Sequence, residues 1–425
     1  MTGARPAAPG LRAYAAVTAA YWAFMLSDGA LRMLVLLHFN ALGFTPVQLA
    51  WLFLLYEVAG IATNLYAGWL AARFGLAATL HAGLALQIGA LLALAGLRPD
   101  WSVAASVAFV MAVQGASGVA KDLAKMSSKS AVRLLAPDSE GTLFRWVAAL
   151  TGSKNAVKGL GFFAGAALLA LAGFQAAVLL MAAVLAAILL AVVLFLPAGL
   201  PAGDSKARLA GWRSRDPRVN RLSLARLFLF AARDVWFVVG VPVYFQTVLS
   251  DGTPEGRRWA FFAIGGFLAL WIILYGAVQA AAPRLLRAQG LGPAALTGRA
   301  VTWAGRLVPI LFALALAALV AGAPSAWLTA ALIAGLFGFG YVFAINSALH
   351  SYLILAFAGA GRVTRDVGFY YMSNAAGRLL GTLLSGLSYQ AGGLPLCLAT
   401  AGVMALLSRI AIAGVGRAGP APDPA

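Results

Sequence analysis

An aspartate and an arginine interrupt two long apolar stretches, WAFMLSDGALRMLVLLHF (Trp22–Phe39) and LFLFAARDVWFVVGVPVYF (Leu227–Phe245). In both stretches a phenylalanine follows the aspartate, Asp28 or Asp234, eleven residues later. A charged side chain at the centre of a membrane span costs about 2.5–3.5 kcal/mol on insertion scales, so such charges are kept for a reason. The repeated pattern predicts two related halves that face one polar cavity.

The rest of the chain has the composition of a membrane protein. Of its 425 residues 62% are hydrophobic and only 10% are charged, with a mean hydropathy of +0.88. In soluble domains roughly a quarter of the residues are charged, so the low charged fraction of this chain excludes a soluble protein. Apolar stretches of about twenty residues are typical of membrane-spanning helices. They predict an all-α polytopic protein with about twelve spans, at 13–39, 45–70, 76–96, 101–120, 142–171, 174–196, 222–248, 258–282, 300–321, 325–349, 363–390 and 394–416.

The predicted topology accounts for most of the positive net charge of +18. If the N-terminus is cytoplasmic, the outer loops hold only Arg98, Arg257 and Arg258, and the other loop cations lie inside. The positive-inside rule then predicts that both termini are cytoplasmic, and no nucleic-acid partner is needed to explain the charge. The segment before the first span is short and that span is long, so we expect no cleavable signal peptide.

Metal and catalytic motifs are missing from the sequence. Cys397 is the sole cysteine, and His38, His81 and His350 lie in unrelated segments without metal-ligand spacing. The chain has no Walker loop, nucleophile elbow or paired-histidine motif. We therefore expect no metal, no cofactor and no enzymatic activity.

A basic segment, PAGLPAGDSKARLAGWRSRDPRVN at 197–220, separates six predicted spans from six others. We expect an N-terminal half at 1–196, a cytoplasmic linker at 197–221, a C-terminal half at 222–416 and a disordered cytoplasmic tail at 417–425. The halves match at several positions: Arg73 with Arg284, Ser153 with Ser373, Lys158 with Arg378, and Gly161 with Gly381.

Two parallel six-helix repeats around a midplane site describe the major facilitator architecture. The stretch GWLAARFG (Gly68–Gly75) resembles that superfamily's signature between spans two and three, except that Ala72 stands where an acid is usual. The repeat, the topology and this signature together predict the major facilitator fold.

Five basic residues lie deep in the predicted spans: Arg32, Lys154, Lys158, Arg233 and Arg378. Lys154 and Lys158 are about twelve and sixteen residues into span five, on one helix face with no acid nearby on that helix. Lys154 and Lys158 are therefore predicted to be uncompensated cations. The five outnumber the deep acids Asp28, Glu57 and Asp234, and guanidinium and ammonium groups bind phosphate and carboxylate oxygens. The surplus predicts a polyanionic substrate.

Other roles stay open for these charges. Arg32 has the spacing for an i,i+4 ion pair with Asp28, and Arg233 has Asp28 or Asp234 as a neutralising partner. The three acids are candidates for proton coupling or ion pairing. Glu57 is the best proton carrier because its own helix has no nearby cation, although a packing hydrogen bond would also explain it.

Three lysines follow the fourth predicted span at helical spacing, Lys121, Lys125 and Lys129. They form either a cytoplasmic funnel for an anion or topology determinants that snorkel to the membrane surface. Arg145 and Arg226, near the predicted cytoplasmic ends of spans five and seven, have the same two interpretations.

Several segments closely resemble the ArsJ family, organoarsenical efflux permeases of the major facilitator superfamily. They are YWAFMLSDGALRMLVLLHF (Tyr21–Phe39), SGVAKDLAKMSSKSAVRLL (Ser117–Leu135), RWVAALTGSKNAVKGLGFF (Arg145–Phe163), ARLFLFAARDVWFVV (Ala225–Val239) and SNAAGRLLG (Ser373–Gly381). The resemblance implies export of 1-arseno-3-phosphoglycerate from a bacterium across its inner membrane, which confers arsenate resistance. The resemblance also implies a functional partner, a glyceraldehyde-3-phosphate dehydrogenase that supplies this substrate without forming a stable complex.

Two alternatives remain at this point. Phosphate and arsenate esters present similar oxygens, so an organophosphate or organic-anion importer or exchanger also fits, and the direction of transport cannot be read from the sequence. A membrane sensor or scaffold is a different class, which predicts a soluble output domain and dispensable deep cations. We expect a monomer whose only other partners are its anionic substrate and the lipid bilayer.

Overall fold

The computed structural model describes residues 10–135, 142–195, 214, 216–287, 291–358 and 363–418, and the regular structure within these ranges is helical. Twelve α-helices follow one another: α1 (Gly10–Ala41), α2 (Pro46–Leu52), α3 (Leu54–Phe74), α4 (Leu76–Ala95), α5 (Val103–Leu135), α6 (Thr142–Phe195), α7 (Pro217–Val235), α8 (Val241–Leu249), α9 (Pro254–Leu285), α10 (Pro293–Ala321), α11 (Ala326–Phe357) and α12 (Val363–Ala413). A π-helical turn, Trp236–Gly240, joins α7 to α8, and a 3₁₀ turn, Val415–Arg417, follows α12.

Two helices are too long for a single membrane crossing. Among the described residues ten segments are long and apolar enough to span a bilayer, and two of these, Ser153–Phe195 and Asp366–Arg417, have 43 and 52 residues. A helix of that length rises roughly 65 Å or more, twice the thickness of the hydrocarbon core. Both break at glycines with positive φ, Gly173 at 77° and Gly393 at 62°. Each segment therefore crosses twice, which gives the twelve spans that the sequence predicts and confirms the all-α membrane fold.

The seventh span contains a local irregularity just after Asp234. Pro242 lacks an N–H group, and its ring cannot pack against the preceding helical turn without distortion. The chain forms the π-helical turn there, and the Ser385 hydroxyl oxygen accepts hydrogen bonds from the N–H groups of Val239 (3.2 Å) and Gly240 (3.1 Å). The polar atoms released by the irregularity thus find a partner on α12.

Only parts of the predicted linker and tail lie within the described residues. Helix α7 already begins at Pro217, where the Asp216 side chain accepts a hydrogen bond from the N–H of Arg218 (2.8 Å). The remainder of the predicted linker, 197–213 and residue 215, lies outside the described residues, as do tail residues 419–425. The side chains of Ala72, Lys129 and Arg145 also lie outside them.

Glycines bring equivalent helices together in the N-terminal half (α1–α6) and the C-terminal half (α7–α12). A Cβ atom at Gly161 of α6 would collide with the Leu26 carbonyl oxygen of α1. A Cβ atom at Gly381 of α12 would lie 2.8 Å from the Ala231 carbonyl oxygen of α7. Because the predicted repeat matches Gly161 with Gly381, the two halves use one packing device at the same place, and it sets the charged residues of α1 and α7 against α6 and α12.

The halves meet along two seams. In one, α6 packs on α9, and the Asn155 side-chain amide donates to Gln279 Oε1 (3.4 Å). In the other, α12 packs on α2 and α3, and the N–H of Val47 donates to Gln390 Oε1 (3.2 Å). These seams enclose the deep charges between the halves.

Candidate functional site

Eight charged side chains from six helices gather where the two halves meet. We call them the central cluster; its members are Arg32, Lys121, Lys158, Arg233, Arg378, Asp28, Glu57 and Asp234. Its side chains are shielded from solvent: in the ion pairs of the cluster no basic side chain is more than 17% exposed and no acidic one more than 2%.

Asp28 is held by two partners within the N-terminal half. Its Oδ1 atom accepts a hydrogen bond from the Tyr56 hydroxyl (2.6 Å), and its Oδ2 atom lies 3.2 Å from Lys158 Nζ. The expectation that Lys158 is uncompensated is therefore wrong, because the missing counter-charge comes from α1 and not from its own helix. Lys154, one turn earlier on α6, is half-buried.

The C-terminal half repeats this pair at the equivalent positions. Asp234 Oδ2 lies 3.7 Å from Arg378 Nε, and its Oδ1 atom accepts from Arg233 Nε at 2.5 Å. Neutralisation of Arg233 by Asp234, one of the two partners considered from the sequence, is what occurs. The pairs Asp28–Lys158 and Asp234–Arg378 are thus counterparts across the repeat.

Glu57 links the two halves. Its Oε1 atom accepts hydrogen bonds from Arg32 Nη1 of α1 (3.1 Å) and from Arg378 Nη2 of α12 (2.6 Å). Arg32 therefore pairs with Glu57 and does not form the i,i+4 pair with Asp28. The reason for favouring Glu57 as a proton carrier, the absence of a nearby cation, fails in the folded chain because two guanidinium groups reach its carboxylate from other helices.

Lys121 belongs to the central cluster and not to an exposed funnel. Its side chain is 7% exposed, and Nζ lies 4.0 Å from the ring centroid of Tyr56, the residue that also binds Asp28. Within the described part of the chain it forms neither a hydrogen bond nor an ion pair. Both interpretations of its role, funnel and snorkelling, place the ammonium group near the membrane surface, and burial against Tyr56 contradicts both.

Lys125 has a different environment one turn further along α5. Its ammonium group lies 2.9 Å from Asp122 Oδ1 and 2.6 Å from Asn64 Oδ1, and the Thr63 hydroxyl donates to the same aspartate. This acid was not among the predicted site residues, although its position next to Lys121 in the sequence is a usable signal. Of the three predicted funnel lysines, Lys121 and Lys125 therefore do not form one exposed group, because one packs on the Tyr56 ring and the other pairs with Asp122.

The charge balance of the cluster is positive. Five cations face three acids, a formal surplus of two positive charges. Hydrogen-bonding capacity is also left over: Arg32 Nη2 is buried without a partner among the described residues, and Arg233 uses only its Nε atom there. Such a site can bind an anion with several oxygens, because unused guanidinium and ammonium donors are the groups that phosphate-like oxyanions prefer.

Comparison with known families places this geometry in context. The sequence profile of the Major Facilitator Superfamily matches residues 17–356, which is most of the chain. The chain belongs to the major facilitator superfamily. It is therefore a multi-pass membrane protein and a secondary transporter of this superfamily, whose members are transporters and not enzymes. None of the curated proteins matches the chain.

Secondary transporters of this superfamily bind substrate near the midplane, between their two repeats. The central cluster likewise lies between the two halves, because Glu57 of the N-terminal half and Arg378 of the C-terminal half are in direct contact. Movement of one half relative to the other would therefore change the contacts of any group bound between these residues.

Proposed function

We propose that this major facilitator protein exports a small organic polyanion, 1-arseno-3-phosphoglycerate, by alternating access, and so confers arsenate resistance. The observation that carries the proposal is the buried surplus of two positive charges between the halves, with donors left unused on Lys121, Arg32 and Arg233. The resemblance of the cluster-bearing segments to the ArsJ family selects the arsenic ester among polyanions. We further propose that the protein acts as a monomer in the bacterial cytoplasmic membrane, with both termini inside.

The proposed substrate and the donor set are chemically matched. Pentavalent arsenic in an ester binds through its oxygen atoms, for which cationic side chains are suitable. Trivalent arsenic would instead need thiolates, but the sole cysteine, Cys397, is fully buried and its Sγ lies 3.1 Å from the Val235 carbonyl oxygen. The donor set thus favours an oxyanion.

Exchange of partners at Glu57 would couple binding to movement of the halves. The Glu57 carboxylate occupies guanidinium donors of Arg32 and Arg378. A phosphate or arsenate group presents the same kind of oxygens, so it can compete for these donors and release the direct contact between Glu57 and Arg378. A proton can then replace the displaced basic side chain as counter-charge of a freed carboxylate at Glu57, Asp28 or Asp234, which would couple export to proton influx.

An importer or exchanger of ordinary organophosphates is the second candidate, because phosphate and arsenate groups make equal use of the same donors. Everted membrane vesicles distinguish the two functions. Vesicles supplied with the dehydrogenase, its triose phosphate substrate, oxidised cofactor and arsenate should accumulate arsenic only when the permease is present. Arsenic accumulation that does not depend on the permease, together with phosphate–organophosphate exchange that does, would favour the second candidate and refute the first.

A paired variant tests the site. Lys158→Ala with Arg233→Ala should abolish growth of arsenate-challenged cells that co-express the dehydrogenase, because the two substitutions remove a donor from each half. Arg306→Gln is the matched control, since Arg306 is an exposed arginine that stacks on Trp303. If the double variant is present in the membrane at the level of the control and still supports growth in arsenate, these residues do not form the site.

A further inference from the structure

A second polar region lies in the C-terminal half beside the central cluster. Arg226 of α7 is only 5% exposed. Its Nη1 atom donates to the Ser347 carbonyl (3.1 Å) and hydroxyl (2.9 Å) oxygens of α11, and its Nε atom donates to Asn374 Oδ1 of α12 (3.2 Å). All these acceptors are uncharged, and among the described residues no carboxylate lies within 4.0 Å of this guanidinium group.

A buried cation without a counter-charge is costly, even when neutral groups satisfy its hydrogen bonds. In a membrane span such a residue marks a ligand or ion pathway more often than a packing contact. The missing negative charge is therefore an indication of a ligand that supplies it.

Two neighbouring side chains of α11 are completely buried and have unused polar atoms. Neither side-chain atom of Asn346 and neither ring nitrogen of His350 has a hydrogen-bond partner in the described structure, and both residues are 0% exposed. Asn346 and His350 are four residues apart and share one helix face. Ser347, whose oxygens accept from Arg226, lies between them on α11, one residue after Asn346 and three residues before His350. An amide and a neutral imidazole can both donate to an oxyanion.

One aromatic ring connects this region to the central cluster. The guanidinium carbon atoms of Arg226 and Arg233 lie 4.2 Å and 4.7 Å from the centroid of the Phe230 ring. Both arginines project from α7, seven residues apart, which is two helical turns. The two guanidinium carbon atoms therefore lie no farther apart than the sum of these distances, and both pack against a single phenylalanine.

We propose that Arg226, Asn346 and His350 form a second anion subsite, which binds the far anionic group of a three-carbon substrate whose first group lies against Arg233. The inference rests on the proposed function and deepens it, because it restricts the substrate class to short molecules with an anion at each end. The arsenic ester of phosphoglycerate is such a molecule, whereas a substrate with one anionic group would occupy only one of the two subsites.

Two small phosphate esters distinguish binding at one subsite from binding at both. Both 3-phosphoglycerate and glycerol 3-phosphate have three carbons and one phosphate, but only the first carries a carboxylate at the other end. Isothermal titration of the purified full-length protein with each probe should show that Arg226→Gln weakens 3-phosphoglycerate binding at least roughly tenfold and glycerol 3-phosphate binding less than about twofold. Arg306→Gln should leave both affinities unchanged.

The conservative variant keeps the test decisive if Arg226→Gln does not fold. Arg226→Lys retains the charge but loses the planar fork, so we expect a smaller loss, of about threefold or more, confined to 3-phosphoglycerate. Equal losses for both probes, or none, in the folded variants would refute the second subsite and leave the transport proposal standing. A wild-type protein that binds neither probe would refute the anion-transport proposal, and the subsite with it.

Discussion

Replacement of Glu57 by glutamine tests whether this carboxylate occupies donors that the substrate needs. The variant keeps the shape of the side chain and one acceptor oxygen but removes a negative charge that contacts Arg32 at 3.1 Å and Arg378 at 2.6 Å. In the central cluster the surplus of positive charge would rise from two to three. Two effects of opposite direction follow, one on the empty protein and one on anion binding.

The empty protein should become less stable while its affinity for anions increases. A hydrogen bond to a charged group contributes about 1.5–3 kcal/mol, and we expect the free energy of unfolding to fall by about that amount. Removal of one member of a buried ion pair typically lowers the free energy of unfolding by about 3–5 kcal/mol. Because Arg378 keeps Asp234 as a partner at 3.7 Å, we expect a smaller decrease here. In wild type a bound anion must break the Glu57 contact, which costs about 1.5–3 kcal/mol. The variant lacks this cost, so we expect roughly ten- to hundredfold tighter anion binding.

Isothermal titration with 3-phosphoglycerate and thermal unfolding with and without that anion measure both effects. Glu57→Gln should unfold at a lower temperature when empty, and saturating anion should raise its unfolding temperature more than that of wild type. Glu255→Gln is the matched control, because Glu255 is an exposed acid at the start of α9. Unchanged or weaker anion binding in a folded Glu57→Gln protein would refute the idea that Glu57 and substrate compete for the same arginines.

Two further substitutions test the site and the packing. Lys121→Gln should weaken binding of 3-phosphoglycerate roughly tenfold, because its ammonium group is buried and has no ion pair among the described residues, whereas Lys125→Gln should change binding by less than about twofold. Equal effects of the two substitutions in titrations would contradict the difference in their roles. Gly381→Ala should lower the unfolding temperature, because its Cβ atom would lie 2.8 Å from the Ala231 carbonyl oxygen and overpacking costs about 1–3 kcal/mol. Gly298→Ala is the control and should not lower the unfolding temperature, because Gly298 faces open space on α10. A Gly381→Ala protein as stable as the Gly298→Ala protein would show that the helix contact is not tight.

The fold could be predicted from the sequence because its signals are local and repeated. Apolar length alone predicts the spans, and it divides α6 and α12 correctly between 171 and 174 and between 390 and 394, where Gly173 and Gly393 break the helices. The equivalence of Lys158 and Arg378 also follows from the repeat. What the repeat cannot provide is the partner of each charge, because Lys158 meets Asp28 from another helix, 130 residues away in sequence.

The position of Lys121 shows why the site was harder to predict than the spans. Insertion scales assign a large penalty to lysine, so a hydropathy reading ends the fourth span at residue 120 and treats the next residue as cytoplasmic. Helix α5 instead continues to Leu135. The burial of Lys121 is decided by Tyr56 on α3, whose ring receives its ammonium group, and no local pattern around Lys121 contains that information.

The pairing of charges changes which cations can recognise a substrate. A cation whose donors are engaged by a carboxylate must first break that contact, so any substrate anion must compete with Asp28, Glu57 and Asp234 for Lys158 and Arg378. Lys121, the terminal nitrogens of Arg233, Arg32 Nη2 and the uncompensated Arg226 have no such competitor among the described residues. First contact with an anion should therefore fall on this second set, and the paired set should respond only when the substrate is held.

That order has a consequence for transport. If the paired arginines responded first, any anion would open the Glu57–Arg378 contact between the halves and the carrier would move without cargo. If recognition depends on Arg226 and Arg233, two positions on α7 that both pack against Phe230, a phosphate ion alone can satisfy only one of them. A molecule with an anion at each end would satisfy both and still have oxygens with which to displace Glu57, so on this proposal the arrangement that provides affinity would also restrict movement to a bis-anionic substrate.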